Sequence, residues 1–190
     1  SQYEYWLNNF CVDHLERNLG SIEDEILDSL LFINKGVPGE LTSNFLTRVD
    51  VDLIKIRPKP DYAIIIGGTN DLGWGIPNDK ILANLVELHE ISKDFGIKSI
   101  GGTIPPIRME QSSVSYNQRK IELNIMLKEY FLDKEIPHAD LYKGMMDDEG
   151  NLKNEWAYID GLHFSMEGYR QMGKVIFQDT VKPIIERVYF

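Results

Sequence analysis

Residues 64–71 constrain the fold of this chain more than any other stretch of its sequence. Three consecutive isoleucines are followed by two glycines and then by Thr69, Asn70 and Asp71. A β-branched run that is apolar on both faces predicts a strand buried on both sides, as in a parallel sheet covered by helices. The glycines allow a sharp turn at the carboxyl end of that strand, where open α/β sheets bind ligands. The stretch therefore predicts a site that presents the Asn70 amide, although Asn70 and Asp71 are equally explained as ordinary turn residues.

Strand-like and helix-like segments alternate along the rest of the chain. Apolar residues at helical spacing predict five helices. They cover residues 5–19, 42–54 with a cap at Thr42 or Ser43, 77–95, 115–132 and the residues after Ser165. Short apolar runs predict strands over 30–33, 63–66, 97–100 and 139–141. This alternation predicts one α/β domain over residues 1–190 with a mainly parallel sheet.

Charge and apolar content exclude several classes of partner. The net charge of -10 at pH 7 argues against a nucleic-acid backbone or an anionic membrane as the main partner. No apolar run approaches the ~20 residues that span a bilayer. Cys11, the single cysteine, lies in an apolar helical pattern, so we expect a buried thiol. A lone cysteine is compatible with a reducing compartment, and we expect a cytoplasmic location, while the oligomeric state stays open.

The sequence indicates neither a metal nor a cofactor. It has no H-E-x-x-H motif and no clustered Cys/His spacing of the kind that binds zinc. It also lacks the G-x-G-x-x-G and G-x-x-x-x-G-K-[ST] phosphate loops. The missing loops argue against a nucleotide- or flavin-binding protein of the same fold class.

A second informative segment is 160–163, which reads Asp-Gly-Leu-His and precedes the last predicted helix. A carboxylate three residues before a histidine, across a glycine turn, can accept the proton of imidazole Nδ1. Nε2 is then left as a base, which is the arrangement that acyl-transfer catalysis needs. The alternative is a surface histidine at a helix entry, because a lone D-x-x-H motif is common by chance.

Ester hydrolysis also needs hydrogen-bond donors for the tetrahedral oxyanion. Gly39, in the turn-rich loop 34–40, can offer a backbone N–H with no side chain in the way, and Asn70 can offer Nδ2. Together they would form an oxyanion hole at the carboxyl edge of the sheet. Taken alone, Gly39 after Pro38 is better explained as a plain turn glycine.

Three segments, in this order, resemble blocks of the SGNH (GDSL-type) hydrolase superfamily, which comprises esterases, lipases and acylhydrolases. Residues 34–43 look like its second block, residues 67–71 like its third and residues 160–163 like its fifth. The resemblance covers about the whole chain. It implies a three-layer α/β/α, flavodoxin-like fold whose strands lie in the order 2-1-3-4-5.

The resemblance also implies an activity and a set of roles. The activity is serine-dependent hydrolysis of a small-molecule carboxylic ester through an acyl-enzyme, without a metal or cofactor. By this resemblance Gly39 and Asn70 bind the oxyanion, His163 is the general base and Asp160 orients it.

The sequence departs from the family at one block. The family's first block is a Gly-Asp-Ser motif that ends the first strand and supplies the nucleophile, and no Gly-Asp-Ser occurs here. In the family's strand order the missing strand lies between 30–33 and 63–66. A sheet without it would leave buried backbone groups unpaired, at about 1–3 kcal/mol each. We therefore expect the native chain to have an upstream segment with this strand and the nucleophile. We do not expect Ser1 to be the nucleophile.

A non-catalytic small-molecule or carbohydrate binding module on the same fold is the alternative. The absent Gly-Asp-Ser favours it. The joint presence of Gly39, Asn70, Asp160 and His163 favours the enzyme, because a site that no longer catalyses has no physical need for all four.

Overall fold

The computed structural model describes residues 3–20, 26, 30–108 and 114–190. Its helices are α1 (Tyr3–Leu19), α2 (Thr42–Val49), α3 (Thr69–Gly73), α4 (Asn78–Asp94), α5 (Val114–Asp133), α6 (Leu141–Met145), α7 (Met166–Ile176) and α8 (Lys182–Tyr189). One π-helical segment continues α2 over Asp50–Ile54, another joins α7 to α8 over Phe177–Val181, and a 3-10 turn covers Asn154–Trp156. The strands are β1 (Tyr62–Ile65), β2 (Lys98–Gly102) and β3 (His138–Ala139).

The strands form one parallel sheet in the order β1-β2-β3. Ile64 of β1 lies opposite Ile100 of β2, and Gly101 of β2 lies opposite His138 of β3. Parallel neighbours need a crossover connection, and α4 and α5 supply the two crossovers. The predicted α/β class with a parallel sheet is confirmed. The resemblance implied five strands, and the described residues form three.

Helices cover both faces of the sheet. Ile64 and Ile66 pack into a core built by α1, α7 and α8, which we call the first core. Ile65 packs into a second core, built by α2, α4 and α5 on the other face. Successive side chains of a strand point to opposite faces, so the isoleucine run contributes to both cores and the fold has three layers. Cys11 is fully buried in the first core, as predicted, and burial raises the pKa of its thiol to about 12.

Residues 30–33 form no strand, so that prediction is wrong. Leu30 and Phe32 pack against the first core, whereas Leu31 and Ile33 are exposed. A strand needs a neighbour for its backbone hydrogen bonds, and in the described part of the chain no strand pairs with this segment. Its apolar composition therefore reflects packing of alternate side chains against one face of the molecule.

Two helix starts also differ from the expectation. Helix α3 begins at Thr69, where the sequence indicated a turn. Thr42 is the first residue of α2, and its hydroxyl bonds to Asp71 instead of capping the helix. None of the helices in the described ranges is both long and apolar enough to cross a membrane.

His89 is buried in α4 beside β2. Its side chain is 2% exposed, Nδ1 lies 2.7 Å from Ser99 Oγ, and its ring meets Phe131 edge-on. Nε2 has no hydrogen-bond partner among the residues that the structure describes. Burial lowers the pKa of His89 from 6.5 to about 4. The folded protein therefore keeps His89 neutral over a pH range in which the unfolded chain binds a proton.

This difference predicts a loss of stability in mild acid. Between pH 6.5 and pH 4 the unfolded state binds the proton that folded His89 refuses, so the free energy of unfolding should fall by up to about 1.4 kcal/mol per pH unit. The variant His89→Gln keeps a hydrogen-bonding partner for Ser99 but does not titrate, so it should lose less stability over this interval. Urea denaturation at pH 4.5, 5.5, 6.5 and 8 measures both slopes.

At pH 8 neither His89 nor the glutamine that replaces it is charged. The free energies of unfolding at this pH therefore give the packing difference between the two proteins. Equal slopes for the wild type and His89→Gln would contradict the assignment of this acid sensitivity to His89.

Candidate active site

The buried carboxylate of Asp71 connects the two segments that carry Gly39 and Asn70. Asp71 is 1% exposed, and its Oδ1 accepts a hydrogen bond of 2.6 Å from Thr42 Oγ1. The Thr42 N–H donates to the same carboxylate at 3.0 and 3.2 Å. The Thr42 hydroxyl in turn accepts from Asn84 Nδ2 at 2.9 Å. The carboxylate is thereby satisfied without a cation, and α2, α3 and α4 are fixed to one another.

Gly68 turns the chain so that Asn70 reaches loop 34–40. The φ of Gly68 is +113°, a conformation that L side chains rarely adopt, and a Cβ there would lie 2.9 Å from the Ile104 side chain. Helix α3 begins at the next residue, and Asn70 Nδ2 donates to the Glu40 carbonyl at 2.9 Å. Asn70 therefore contacts the residue that follows Gly39. The second amide hydrogen of Asn70 has no partner among the described residues.

The loop that carries Gly39 is held from behind by Arg48. Gly39 is exposed with a φ of +79°, and its backbone N–H has no hydrogen-bond partner in the described part of the chain. Arg48 donates to the Glu40 carboxylate at 2.6 Å, to the Lys35 carbonyl at 2.8 Å and to Asp52 at 2.9 Å. We call these three contacts of Arg48 the Arg48 clamp. The hydrogen bond from Arg48 lowers the pKa of Asp52, so the ion pair between Arg48 and Asp52 stays charged near neutral pH. Both ends of the loop are thus tied to α2.

Asp160 and His163 form a hydrogen-bonded pair in the turn before α7. Asp160 Oδ2 lies 2.7 Å from His163 Nδ1, and Oδ1 accepts from the backbone N–H groups of Leu162 and His163, each at 2.9 Å. The His163 backbone N–H, then its imidazole, lower the pKa of Asp160 to about 2. An ionised carboxylate only accepts, so Nδ1 carries the proton of neutral His163 and Nε2 keeps its lone pair. The His163 side chain is 68% exposed.

The backbone fixes this turn to the carboxyl edge of the sheet. The Arg108 N–H, beyond the end of β2, donates to the Gly161 carbonyl at 2.9 Å, and the Tyr158 N–H donates to the His163 carbonyl at 2.8 Å. The turn therefore lies beside the segment that follows β2. Among the described residues, no hydrogen bond joins Gly39 or Asn70 directly to Asp160 or His163. The four predicted residues therefore lie in two separate groups, with Asn70 bonded to the residue after Gly39 and His163 bonded to Asp160.

The sequence interpretation missed the buried polar groups behind the site. By residue type Thr42 fits a helix cap and Asp71 fits a turn, and Asn84 is not among the predicted site residues. A polar residue at an apolar position of a helix is the usual signal for such a network, and Asn84 fits it because it precedes Leu85 and Leu88 of the second core. No three His, Cys, Asp or Glu side chains of the described ranges come close enough together to hold a metal ion.

Comparison with protein families gives one match of high coverage. The profile of the GDSL-like Lipase/Acylhydrolase family matches residues 7–171. A comparison with curated proteins finds no match.

Solved structures give matches that cover most of the chain. A GDSL-like lipase from Bacteroides thetaiotaomicron is 26% identical with a TM-score of 0.70, over 80% of this chain and 76% of that one. A lipase/acylhydrolase from Enterococcus faecalis is 30% identical with a TM-score of 0.67, over 77% and 73%. An acetylxylan esterase from Geobacillus stearothermophilus is 18% identical with a TM-score of 0.66, over 77% and 70%, and shares the fold.

The contact between Thr42 and Asp71 predicts a large effect of one substitution. Thr42→Val removes the hydroxyl that binds the buried carboxylate and leaves the Asn84 amide without its acceptor. We expect it to lower the free energy of unfolding by about 2–3 kcal/mol. Urea denaturation followed by circular dichroism measures this loss.

Thr47→Val in the same helix is the matched control. The Thr47 hydroxyl donates only to the Asn44 carbonyl at an exposed position, so its loss should change stability by less than about 0.5 kcal/mol. Similar losses in the free energy of unfolding of the two variants would show that the contact between Thr42 and Asp71 stabilises the protein no more than an exposed hydrogen bond does.

Proposed function

The chain belongs to the GDSL-like lipase/acylhydrolase family and is an ester hydrolase, and we propose that it acts through a serine acyl-enzyme. The predicted superfamily and the predicted enzyme class are confirmed by these matches. The observation that carries the mechanistic proposal is the 2.7 Å contact between His163 Nδ1 and Asp160, which leaves the exposed Nε2 as a base.

In the proposed mechanism His163 moves the protons. Nε2 accepts the proton of the attacking serine hydroxyl as the hydroxyl adds to the ester carbonyl. The imidazolium then gives that proton to the leaving alcohol, and the acyl-enzyme remains. In the second half His163 takes a proton from water, which attacks the acyl carbonyl, and returns it to the serine. Asp160 positions the imidazole and stabilises its charged form, because its carboxylate stays ionised throughout.

Gly39 and Asn70 are the proposed oxyanion donors. Each has an N–H without a partner in the described residues, and the Asn70 amide is held next to Glu40. Donors that are already fixed in place stabilise the tetrahedral oxyanion without a cost of reorganisation. The Asp71 network and the Arg48 clamp supply that rigidity. Neither a metal nor a cofactor enters this scheme, and the proposed substrate is a small-molecule ester.

Labelling with a fluorophosphonate tests the base. Because the sequence has no Gly-Asp-Ser, peptide mapping of the adduct also identifies the serine. We expect one adduct on the natural protein, and at least about a hundredfold slower labelling of His163→Ala, since a general base contributes about 10²–10⁴-fold. His138→Ala, at the start of β3, is the control and should label at the wild-type rate. The absence of an adduct on folded wild-type protein would favour the non-catalytic binding module.

Steady-state kinetics test the oxyanion donor. Asn70→Ala should lower kcat for p-nitrophenyl acetate by about 10²–10³-fold with a smaller change in KM, because the donor acts mainly in the transition state. Asn78→Ala is matched, since Asn78 Nδ2 also donates to a backbone carbonyl, that of Arg119, at 2.9 Å. It should keep kcat within about threefold. If Asn70→Ala behaves in the same way, Asn70 is not an oxyanion donor.

A further inference from the structure

Ile104, two residues beyond the end of β2, is buried against the bend that leads to Asn70. The Ile104 side chain is 0% exposed. A Cβ on Gly68 would lie 2.9 Å from Ile104 Cδ1, so this methyl group contacts the Gly68 backbone. Gly68 has a left-handed φ and directly precedes α3, whose second residue is Asn70. Ile104 therefore packs on the residue whose conformation sets the direction of α3.

The backbone of Ile104 is held by one side chain, that of Asn124 in α5. Asn124 Oδ1 accepts a hydrogen bond from the Ile104 N–H at 2.7 Å, and Asn124 Nδ2 donates to the Ile104 carbonyl at 2.9 Å. Asn124 is buried, so both hydrogen bonds form away from water. Without them Ile104 would have a buried donor and a buried acceptor left unpaired, which is costly. Asn124 thus fixes the position of Ile104 relative to Gly68.

Ile81 of α4 is the second side chain that packs on Gly68. The same Cβ would lie 3.2 Å from Ile81 Cγ2. Like Ile104, Ile81 is 0% exposed and belongs to the second core. The two isoleucines therefore share residue type, burial and neighbour, but their closest atoms to Gly68 differ, Cδ1 in Ile104 and Cγ2 in Ile81.

We propose that Ile104, held by Asn124, is a positioning residue for the oxyanion donor Asn70. The inference rests on the proposed function and adds a residue to it. Gly68 is the last residue before α3, so a shift of Gly68 is passed on to Asn70 and changes the direction of Nδ2. A small displacement of a group that stabilises the transition state lowers the rate steeply. An isoleucine that served only the core would affect stability and leave kcat unchanged.

Two substitutions of the same kind test this difference. Ile104→Val removes Cδ1, the atom closest to Gly68, whereas Ile81→Val also removes Cδ1 but keeps the Cγ2 that contacts Gly68. Each variant loses one buried methyl group, so urea denaturation should show similar losses of stability.

The rate of hydrolysis of p-nitrophenyl acetate should separate the two variants. We expect Ile104→Val to lower kcat by at least about fivefold with less than about a twofold change in KM, and Ile81→Val to keep kcat within about twofold. Equal kcat values in the two variants, whether both normal or both reduced, would overturn the proposal.

A double-mutant cycle shows whether Ile104 acts through Asn70. Two residues that act through one contact have effects that do not add. Ile104→Val should therefore lower kcat by less than about twofold when it is introduced into Asn70→Ala. The same fivefold loss in both backgrounds would mean that Ile104 does not act through Asn70, and would overturn the proposal.

The base should be unaffected by Ile104→Val. Arg108, which bonds to the base-bearing turn, lies four residues beyond Ile104, and the stretch before it is anchored separately by the Ile107 carbonyl, which accepts from the Leu152 N–H at 3.2 Å. The pH dependence of kcat/KM, which reports the titration of His163, should keep the wild-type profile. A shifted profile would show that the substitution disturbs the base, and would contradict a role confined to Asn70.

The outcomes distinguish this proposal from the proposed function. If no ester is hydrolysed, or if Asn70→Ala keeps the wild-type kcat, the role of Asn70 as oxyanion donor fails. The NMR signal of the Asn70 side-chain amide, assigned by its absence in Asn70→Ala, then decides whether Ile104 positions Asn70. A shift of this signal in Ile104→Val alone upholds the positioning role, whereas no shift, or equal shifts in Ile104→Val and Ile81→Val, overturns it.

Discussion

The hydrogen bond between the buried Asp71 carboxylate and Thr42 is the contact on which the proposed site depends. A carboxylate that is 1% exposed requires donors around it, and here a hydroxyl and a backbone N–H, 29 residues earlier in the chain, supply them. The contact brings α2 to the end of β1 and thereby sets loop 34–40 beside Asn70. The relative positions of the two proposed oxyanion donors are thus determined by groups that lie behind the site and away from the substrate.

The parts of the site that could be predicted from the sequence are those that short segments determine. The Asp160–His163 contact joins residues three apart, and the turn between them is closed by its own backbone, so the motif and the geometry coincide. The glycine pair after the isoleucine run likewise forces a turn, and Gly68 adopts the left-handed conformation that the residue type favours. The α/β class is predicted by the alternation of strand and helix patterns, because each pattern depends only on the spacing of apolar residues within one short segment.

The parts that could not be predicted depend on partners distant in sequence. Thr42 fits a helix cap by type, and only the approach of α3 assigns its hydroxyl to Asp71. The run 30–33 is apolar enough for a strand, but composition does not say whether a neighbouring strand is present to take its backbone hydrogen bonds. The exposure of Trp74 and Ile159 could not be predicted either, because a sequence pattern assigns large apolar residues to a core by default.

The two pairs at the sheet edge are anchored separately, one through α2 and α3 and the other through the turn 157–165 and the segment after β2. They share no direct hydrogen bond within the described residues. A change of sequence in the base-bearing turn therefore breaks no hydrogen bond, among the described residues, that holds the oxyanion donors. Variation can accumulate in one half without compensation in the other, so this edge of the sheet is modular. The nine-residue turn 157–165 can be exchanged between relatives, and such an exchange offers a route to new ester preferences.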